Sequence, residues 1–201
     1  MKPLILASQS PRRRELLARV GIPFEVRAPK IEEPPPQPPS GRFARELAKL
    51  KARAVWEEGR FALGADTVVE AAGLVLGKPK DPEENARYLR LLSGRTHVVY
   101  TAVAVLDPEG RTHTLVASPR VRFRRLSEEE IRWYVESGEG LDKAGGYGIQ
   151  EKGMALVERV EGDFYAVVGL PVAGVWELLR KLGYPAGANP EPGQTQVRRD
   201  Q

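Results

Sequence analysis

The segment LILASQSPRRR, residues 4–14, indicates the fold class because it joins a predicted buried strand directly to a predicted helix. Residues 3–7 form a short apolar run that predicts a strand. Ser10 and Pro11 form a typical helix start, since serine caps the first turn and proline tolerates the first helical position. Apolar residues recur at helical spacing up to Gly21, where the helix is predicted to end. A strand followed at once by a helix predicts an α/β protein.

Two hairpins are predicted further along the chain, and they exclude a purely parallel sheet. Residues 96–106 and 111–124 alternate like strands on either side of the turn sequence Asp107-Pro108-Glu109-Gly110. A second hairpin is predicted from residues 153–160 and 164–168. The sequence therefore predicts a mixed sheet flanked by helices. The remaining predicted elements are strands at 24–27, 61–70 and 74–76 and helices at 41–58, 81–94, 127–135 and 171–182.

The length of 201 residues suits one domain, or two small lobes that share a core. We assign residues 1–186 to a single domain and residues 187–201, which are polar and contain Pro and Gly, to a disordered tail. The sequence contains no apolar run of about 18 residues, so no membrane span is expected. Its first residues lack the apolar core of a signal peptide, which predicts a cytoplasmic protein.

The residue types present limit the chemistry that the chain can perform. The chain has no cysteine, which excludes a thiolate nucleophile, a disulfide framework and Cys-ligated zinc. Its two histidines, His97 and His113, are too few for a His-rich metal site. Any catalysis must therefore rest mainly on carboxylates, lysine, arginine, hydroxyl groups and backbone amides.

The charge balance is mildly basic, with a formal net charge of +4 and a pI of about 9.4. Such a balance suits a phosphate-bearing ligand and leaves nucleic-acid binding as an alternative. The densest basic run, residues 120–125, alternates with apolar residues and predicts one polar face of a strand. We therefore expect no specific nucleic-acid partner.

The turn at residues 8–14 is a candidate anion site. It places hydroxyl groups, guanidinium groups and free backbone amides at the start of a helix, where both the helix dipole and the formal charge favour phosphate. The alternative is plain helix capping with solvated arginines.

Asp66 is the strongest catalytic candidate. It lies within the apolar strand pattern of residues 64–69, and the chain has only six aspartates. A buried charge is costly unless it is paired or bound to a cation, so Asp66 is expected to hold a ligand, a metal ion or a catalytic proton. The alternative is a carboxylate at the end of the sheet that caps a loop.

Three further features are weaker on their own. Glu32 and Glu33 could bind a hard cation such as Mg²⁺, although an acidic surface is the simpler interpretation. Lys51 and Lys78 are of a type that usually faces solvent. The segment 142–150 combines three glycines, a tyrosine and a glutamine, which suits a loop closing on a planar ligand or, alternatively, a mobile connection.

Six motifs, in order along the chain, together resemble the Maf proteins. They are Leu-Ala-Ser-Gln-Ser-Pro-Arg-Arg at 6–13, Gly-Ala-Asp-Thr at 64–67, Gly-Lys-Pro at 77–79, Leu-Ser-Gly-Arg at 92–95, Asp-Lys-Ala-Gly-Gly-Tyr-Gly-Ile-Gln at 142–150 and Val-Val-Gly-Leu-Pro at 167–171. The resemblance runs from about Leu4 to Leu182. It implies the fold of the inosine-triphosphate pyrophosphatases, with an elongated twisted sheet and two lobes around a central cleft.

The resemblance also implies an activity: hydrolysis of a nucleoside triphosphate to the monophosphate and pyrophosphate with a divalent cation, Mg²⁺ or Mn²⁺. The loop containing Tyr147 and Gln150 is similar to that of the branch acting on dTTP and UTP. A 7-methyl-GTP pyrophosphatase is one alternative, and a non-catalytic nucleotide-binding regulator of cell division is another. The family is associated with removal of unwanted nucleotides and with division arrest, and a homodimer is common in such folds.

The resemblance makes Asp66 the proton acceptor. It links substrate choice to Arg12, Thr67 and Gln150. Local chemistry agrees with these roles, because carboxylates can bind a metal ion, here Glu33 with Asp66, and hydroxyl and amide groups can bond a base edge. The residues assigned to phosphate are Ser8, Arg12, Arg13, Lys51 and Lys78.

Overall fold

The computed structural model describes residues 1–187 and contains a mixed eight-stranded sheet with helices on both faces. Apart from Gly187, the predicted tail at 187–201 lies outside the described residues. The strands are β1 (Leu4–Ala7), β2 (Phe24–Val26), β3 (Ala62–Ala71), β4 (Leu74–Leu76), β5 (Thr96–Leu106), β6 (Thr112–Ala117), β7 (Arg120–Phe123) and β8 (Val157–Glu161). The helices are α1 (Pro11–Arg19), α2 (Ser40–Val55), α3 (Pro82–Leu92), α4 (Glu128–Glu136), α5 (Phe164–Val168) and α6 (Val172–Lys181).

The strand order of the sheet is β2-β1-β3-β5-β7-β8, with β4 beside β3 and β6 beside β5. β1 runs parallel to β2 and β3, and all other pairs are antiparallel. The predicted mixed α/β sheet is therefore confirmed. Its longest ladder joins β3 to β5, from the Ala62–Leu106 pair to the Glu70–Val98 pair.

Helices α1 and α4 begin at the capping residues that the sequence predicts. The Ser10 side chain accepts a hydrogen bond from the Arg13 amide at the start of α1, and Pro11 occupies the first turn. Ser127 and Glu130 form a complete capping box at the start of α4. These contacts lie within four residues, which is why the sequence alone predicts them.

The first predicted hairpin is interrupted. The strand expected at 111–124 divides at Ser118-Pro119 into β6 and β7, which pair with different parts of β5. Proline lacks the N–H that a continuous ladder needs, so the break falls there.

The second predicted hairpin is wrong. β8 forms, but residues 152–155 make a 3-10 turn and residues 164–168 form α5. The side chain of Asp163 accepts a hydrogen bond from the Ala166 amide and so starts a helix in place of a strand.

The sheet buries apolar side chains on both faces. Along β1, Leu4 and Leu6 pack in one cluster with α1 and α6, whereas Ile5 and Ala7 pack in another with α2. This alternation is the period of a strand buried on both sides. A third cluster joins α3 and α4 to β5 and β7. The core therefore holds α1 and α2 against opposite faces of β1 and β3.

Candidate active site

A cavity of about 610 Å³ opens where β1 ends. β1 pairs with β3 only along residues 62–64, so the next residues of β3 lack a strand on that side until β4 joins at Val69. Neighbouring side chains of a strand point to opposite faces, and both Asp66 and Thr67 reach the cavity at this gap. All the predicted site residues line it: Ser8, Arg12, Arg13, Glu33, Lys51, Asp66, Thr67, Lys78 and Gln150.

Lys51 joins the two predicted metal ligands. Its Nζ lies 3.3 Å from Asp66 Oδ1 and 3.1 Å from Glu33 Oε1. Asp66 and Lys51 are both nearly buried, whereas half of the Glu33 side chain is exposed. Among the described residues, the buried Oδ2 of Asp66 has no hydrogen-bond partner. That oxygen is therefore available to accept a hydrogen bond or a proton.

Gly64 allows this pairing to form. A Cβ at Gly64 would clash with the backbone of Ala48 and Ala52, so only glycine lets α2 approach β3 this closely. The close approach brings Lys51, on the turn between those two alanines, over Asp66. The Gly-Ala-Asp-Thr motif thus combines a packing requirement with a chemical one.

The Asp66 carboxyl has a shifted pKa. Burial raises its pKa above the ordinary value, and the charges of Lys51 and Arg13 partly oppose that shift. A carboxylate with a raised pKa is a better proton acceptor than an ordinary aspartate. The combination is typical of a general base in a cleft.

The start of α1 forms another part of the cavity lining. Ser8 Oγ accepts a hydrogen bond from the Ser10 amide at 3.1 Å, and this bond shapes the turn that leads from β1 into the helix. Arg12 and Arg13 follow in the first helical turn, and Arg12 Nη1 lies 3.5 Å from Asp142 Oδ2. The positive helix end and two guanidinium groups therefore face one cavity, as the anion-site interpretation requires.

Arg13 and Thr67 are joined. Arg13 Nε donates to the Gly169 carbonyl at 2.8 Å, and Arg13 Nη2 donates to Thr67 Oγ1 at 3.1 Å. The guanidinium is thus held along one edge, and its remaining N–H groups have no acceptor among the described residues.

The 142–150 loop is anchored by buried polar groups. Asn85 Nδ2 donates to the Gly146 carbonyl at 2.7 Å, and the Gly148 amide donates to Tyr134 Oη at 2.9 Å. Tyr147 Oη is hydrogen-bonded to His97 Nε2 at 2.6 Å. The loop is therefore held against α3, α4 and β5, in contrast to the alternative of a mobile connection.

Lys78 and Gln150 lie at the mouth of the cavity and are exposed. The Gly145 amide donates to the Gly77 carbonyl at 3.0 Å, which ties the segment around Lys78 to the 142–150 loop. The segment that carries Lys78 is thus joined to the loop that carries Gln150.

Sequence reasoning missed the anchoring residues. Asn85 falls on the apolar stripe of α3 with Leu89 and Leu92, so its position was a usable signal. His97 gave no such signal in the sequence, because its hydrogen bond to Tyr147 joins residues 50 positions apart. Burial lowers the pKa of His97 to about 4, so the ring is neutral near pH 7.

The basic run at residues 120–125 is the polar face of a strand, as predicted. Val121 and Phe123 are fully buried, whereas Arg122 and Arg124 pair with acids. Arg122 Nε lies 3.0 Å from Glu158, and Arg124 Nη2 lies 2.6 Å from Glu130.

The cavity thus contains both a buried carboxylate–lysine pair and a cationic helix start, a combination that suits a phosphorylated ligand. The family model described as Maf-like protein matches residues 3–182. The chain therefore belongs to the Maf-like protein family, which confirms the resemblance seen in the motifs.

Curated relatives agree with this assignment, and a solved structure shares the fold. A protein named dTTP/UTP pyrophosphatase from Thermus thermophilus is 57% identical over 182 residues, which cover 90% of this chain and 96% of the relative. A protein of the same name from Deinococcus radiodurans is 52% identical, with 91% and 94% covered. The structure of a HAM1 protein from Coxiella burnetii aligns with a TM-score of 0.52 at 22% identity, covering 90% of this chain and all of that one. The last likeness shows the fold alone.

Within residues 1–187, none of the helices combines the length and apolar character needed to cross a membrane.

Proposed function

We propose that the protein hydrolyses dTTP and UTP to the nucleoside monophosphate and pyrophosphate. The observation that carries the proposal is that one cavity contains both the start of α1 and Asp66, whose Oδ1 contacts Lys51 and whose Oδ2 has no partner within residues 1–187. Relatives named dTTP/UTP pyrophosphatase match nearly the full chain at 57% and 52% identity, which supports the same base preference here.

The proposed reaction is attack of water on a phosphoryl group of the triphosphate. Asp66 Oδ2 accepts a proton from the attacking water, and the bond to the oxygen between the α- and β-phosphates breaks, so that pyrophosphate leaves. Arg12, Arg13 and the amides at the start of α1 bind phosphate oxygens. Lys51 and Lys78 offset the charge that develops, and Ser8 supports the turn that presents these groups.

Thr67 and Gln150 serve the other end of the substrate in this proposal. A Gln side chain offers a donor and an acceptor, which the edge of a uracil or thymine ring requires. Gln150 is exposed at the cavity mouth and has room for such a partner.

A divalent cation, Mg²⁺ or Mn²⁺, fits the carboxylates of this cavity. Asp66 Oδ2 is buried and unpartnered within residues 1–187, and Glu33 is half exposed beside the same lysine. The described residues contain no group of three or more His, Asp or Glu that could hold a metal ion. Two carboxylates with water and substrate phosphates suit Mg²⁺, which seldom occupies an all-protein cage. When bound, the cation would neutralise phosphate charge.

Product identity tests the proposal. The full chain is incubated with each standard nucleoside triphosphate and with 7-methyl-GTP, and pyrophosphate, orthophosphate and monophosphate are quantified. We expect pyrophosphate and monophosphate, with dTTP and UTP turned over most efficiently. Release of orthophosphate alone, or binding without turnover, would refute the proposed reaction. A preference for 7-methyl-GTP would refute the base assignment while keeping the chemistry.

Replacing Gln150 by Ala should reduce the preference for dTTP and UTP. If a buried partner on the base loses its hydrogen bond, the cost in transition-state binding is roughly 1–3 kcal/mol for those substrates. Replacing Arg12 by Ala should instead weaken all triphosphates together, because a helix start binds phosphate whatever base is attached. The measurement is kcat/KM for each variant on one panel of triphosphates.

Gln37→Ala is the matched control for Gln150, because Gln37 is exposed and does not line the cavity. Its profile should equal that of the wild type. An equal loss on every substrate in Gln150→Ala would show that Gln150 is structural or contacts phosphate.

Replacing Lys51 by Met should move the acid limb of the pH profile to higher pH. The Asp66 pKa is raised by burial and lowered in part by the Lys51 charge, so removing that charge raises the pKa further. The base must be ionised to act, so activity should then appear only at higher pH than in the wild type. The measurement is log kcat/KM against pH.

Lys49→Met provides the control, since Lys49 lies on α2 but pairs with Glu46 away from the cavity. Its acid limb should stay in place. If Lys51→Met lowers the rate without displacing the acid limb, the group whose titration governs activity is not Asp66.

A further inference from the structure

A chain of hydrogen bonds leads from Arg13 into the sheet. Thr67 and Thr101 are direct partners across the β3–β5 ladder, and their Oγ1 atoms lie 2.9 Å apart. Thr101 Oγ1 lies 2.7 Å from the carbonyl oxygen of Ala166 in α5. Thr101 is fully buried and does not line the cavity, so it cannot touch a ligand there.

The direction of every bond in this chain follows from the donors available. The Ala166 carbonyl can only accept, so the single hydroxyl proton of Thr101 points to it. Thr101 must then accept the proton of Thr67, because neither hydroxyl has a second proton to give. Thr67 is left with lone pairs only, and one of them accepts from Arg13 Nη2.

A second hydrogen bond of Arg13 leads to the same segment of the protein. Arg13 Nε donates to the Gly169 carbonyl, three residues after Ala166 in the sequence. Arg13 is thus held by two acceptors, one of which is oriented by Thr101. The edge formed by Nε and Nη2 is occupied, and the end formed by Nη1 and the second Nη2 proton is left for a ligand. That end can bind two phosphate oxygens at once.

We propose that Thr101 is a positioning residue that acts through Thr67 to hold the Arg13 guanidinium with its free end toward the phosphates of the substrate. The proposal rests on the proposed function, because it assigns the support of one phosphate-binding group. It also narrows the role of Thr67, which has no proton to give to a base and can offer a ligand only an acceptor.

The test uses Thr101→Val, which keeps the side-chain shape but removes the hydroxyl. Thr67 then loses its acceptor, its hydroxyl can rotate, and Arg13 loses an oriented partner. We expect inorganic pyrophosphate, titrated by calorimetry in the presence of Mg²⁺, to bind about tenfold more weakly. The kcat/KM values for all triphosphates should fall by a similar factor, so that their ratios stay constant.

Two comparisons separate positioning from a general structural role. Thr101→Ser restores the hydroxyl and should restore pyrophosphate affinity. In an Arg13→Ala background, Thr101→Val should cause little further loss, because the group that Thr101 positions is already absent. Thr114→Val is the control on β6, since its hydroxyl makes no hydrogen bond to the rest of residues 1–187, and it should bind like the wild type.

Three outcomes would overturn the proposal. Wild-type affinity in Thr101→Val would do so, as would an equal loss with and without Arg13, or a wild-type protein that does not bind pyrophosphate. If Thr101→Val fails to fold, Thr101→Ala compared with Thr101→Ser gives the same test. A wild-type protein that binds pyrophosphate but hydrolyses no triphosphate would refute the proposed function while the binding test of Thr101 still stands.

Discussion

Replacing Asp66 by Asn should abolish hydrolysis while leaving the fold intact. The amide keeps the shape of the carboxylate and can still accept from Lys51 Nζ, but it cannot take a proton from water. Loss of a general base lowers a rate by a factor on the order of 10²–10⁴. Because burial already opposes the charge of Asp66, removing that charge should not lower the unfolding temperature. The measurements are the rate of pyrophosphate release and a thermal melt.

Asp81→Asn is the matched control. Asp81 caps α3 outside the cavity, and asparagine caps a helix as well as aspartate does. This variant should keep full activity. Turnover near the wild-type level in Asp66→Asn would remove Asp66 from the mechanism, and a large loss of stability would show that its main role is structural.

Chelation of divalent cations should reduce activity below detection, and Mg²⁺ or Mn²⁺ should restore it. The chain offers carboxylate oxygens and no cysteine, which favours hard cations. Asp66 and Glu33, which both contact the Lys51 ammonium, are the proposed ligands. The measurement is the initial rate after exhaustive chelation and again after each metal is added back.

Glu33→Gln should raise the metal concentration for half-maximal rate by about tenfold or more. Glu32→Gln is its control, because the neighbouring Glu32 is exposed and does not line the cavity. Full activity after chelation would exclude a metal requirement. Equal metal dependence in both glutamate variants would exclude Glu33 as a ligand.

Asp66, Arg12 and Arg13 could be predicted as site residues from the sequence because their signals were chemical and local. Asp66 stood out as a charge in an apolar strand, and Arg12 and Arg13 followed a serine–proline helix start. Lys51 was ambiguous in the sequence, since a lysine on an amphipathic helix usually faces solvent. Its contact with Asp66 depends on how closely α2 packs on β3, and the helix pattern alone does not contain that distance.

Two other features were not predicted from the sequence, for different reasons. The apolar run at residues 164–168 is too short to distinguish a strand from a helix by period, and the cap from Asp163 decided it. Thr101 looked like any strand threonine. Its importance comes from its partner on β3, 34 residues away, and from a carbonyl 65 residues away.

The α/β class, most element boundaries and the residue types of the site could be predicted from the amino-acid sequence. Caps, turns and periodicity act over a few residues, so they can be recognised along the chain. The position of the cavity, the unpartnered oxygen of Asp66 and the directions of the hydroxyl groups that support Arg13 depend instead on tertiary packing. These depend on β1 ending at Ala7 while β3 continues past it, and on groups that meet only when the sheet and its helices are packed.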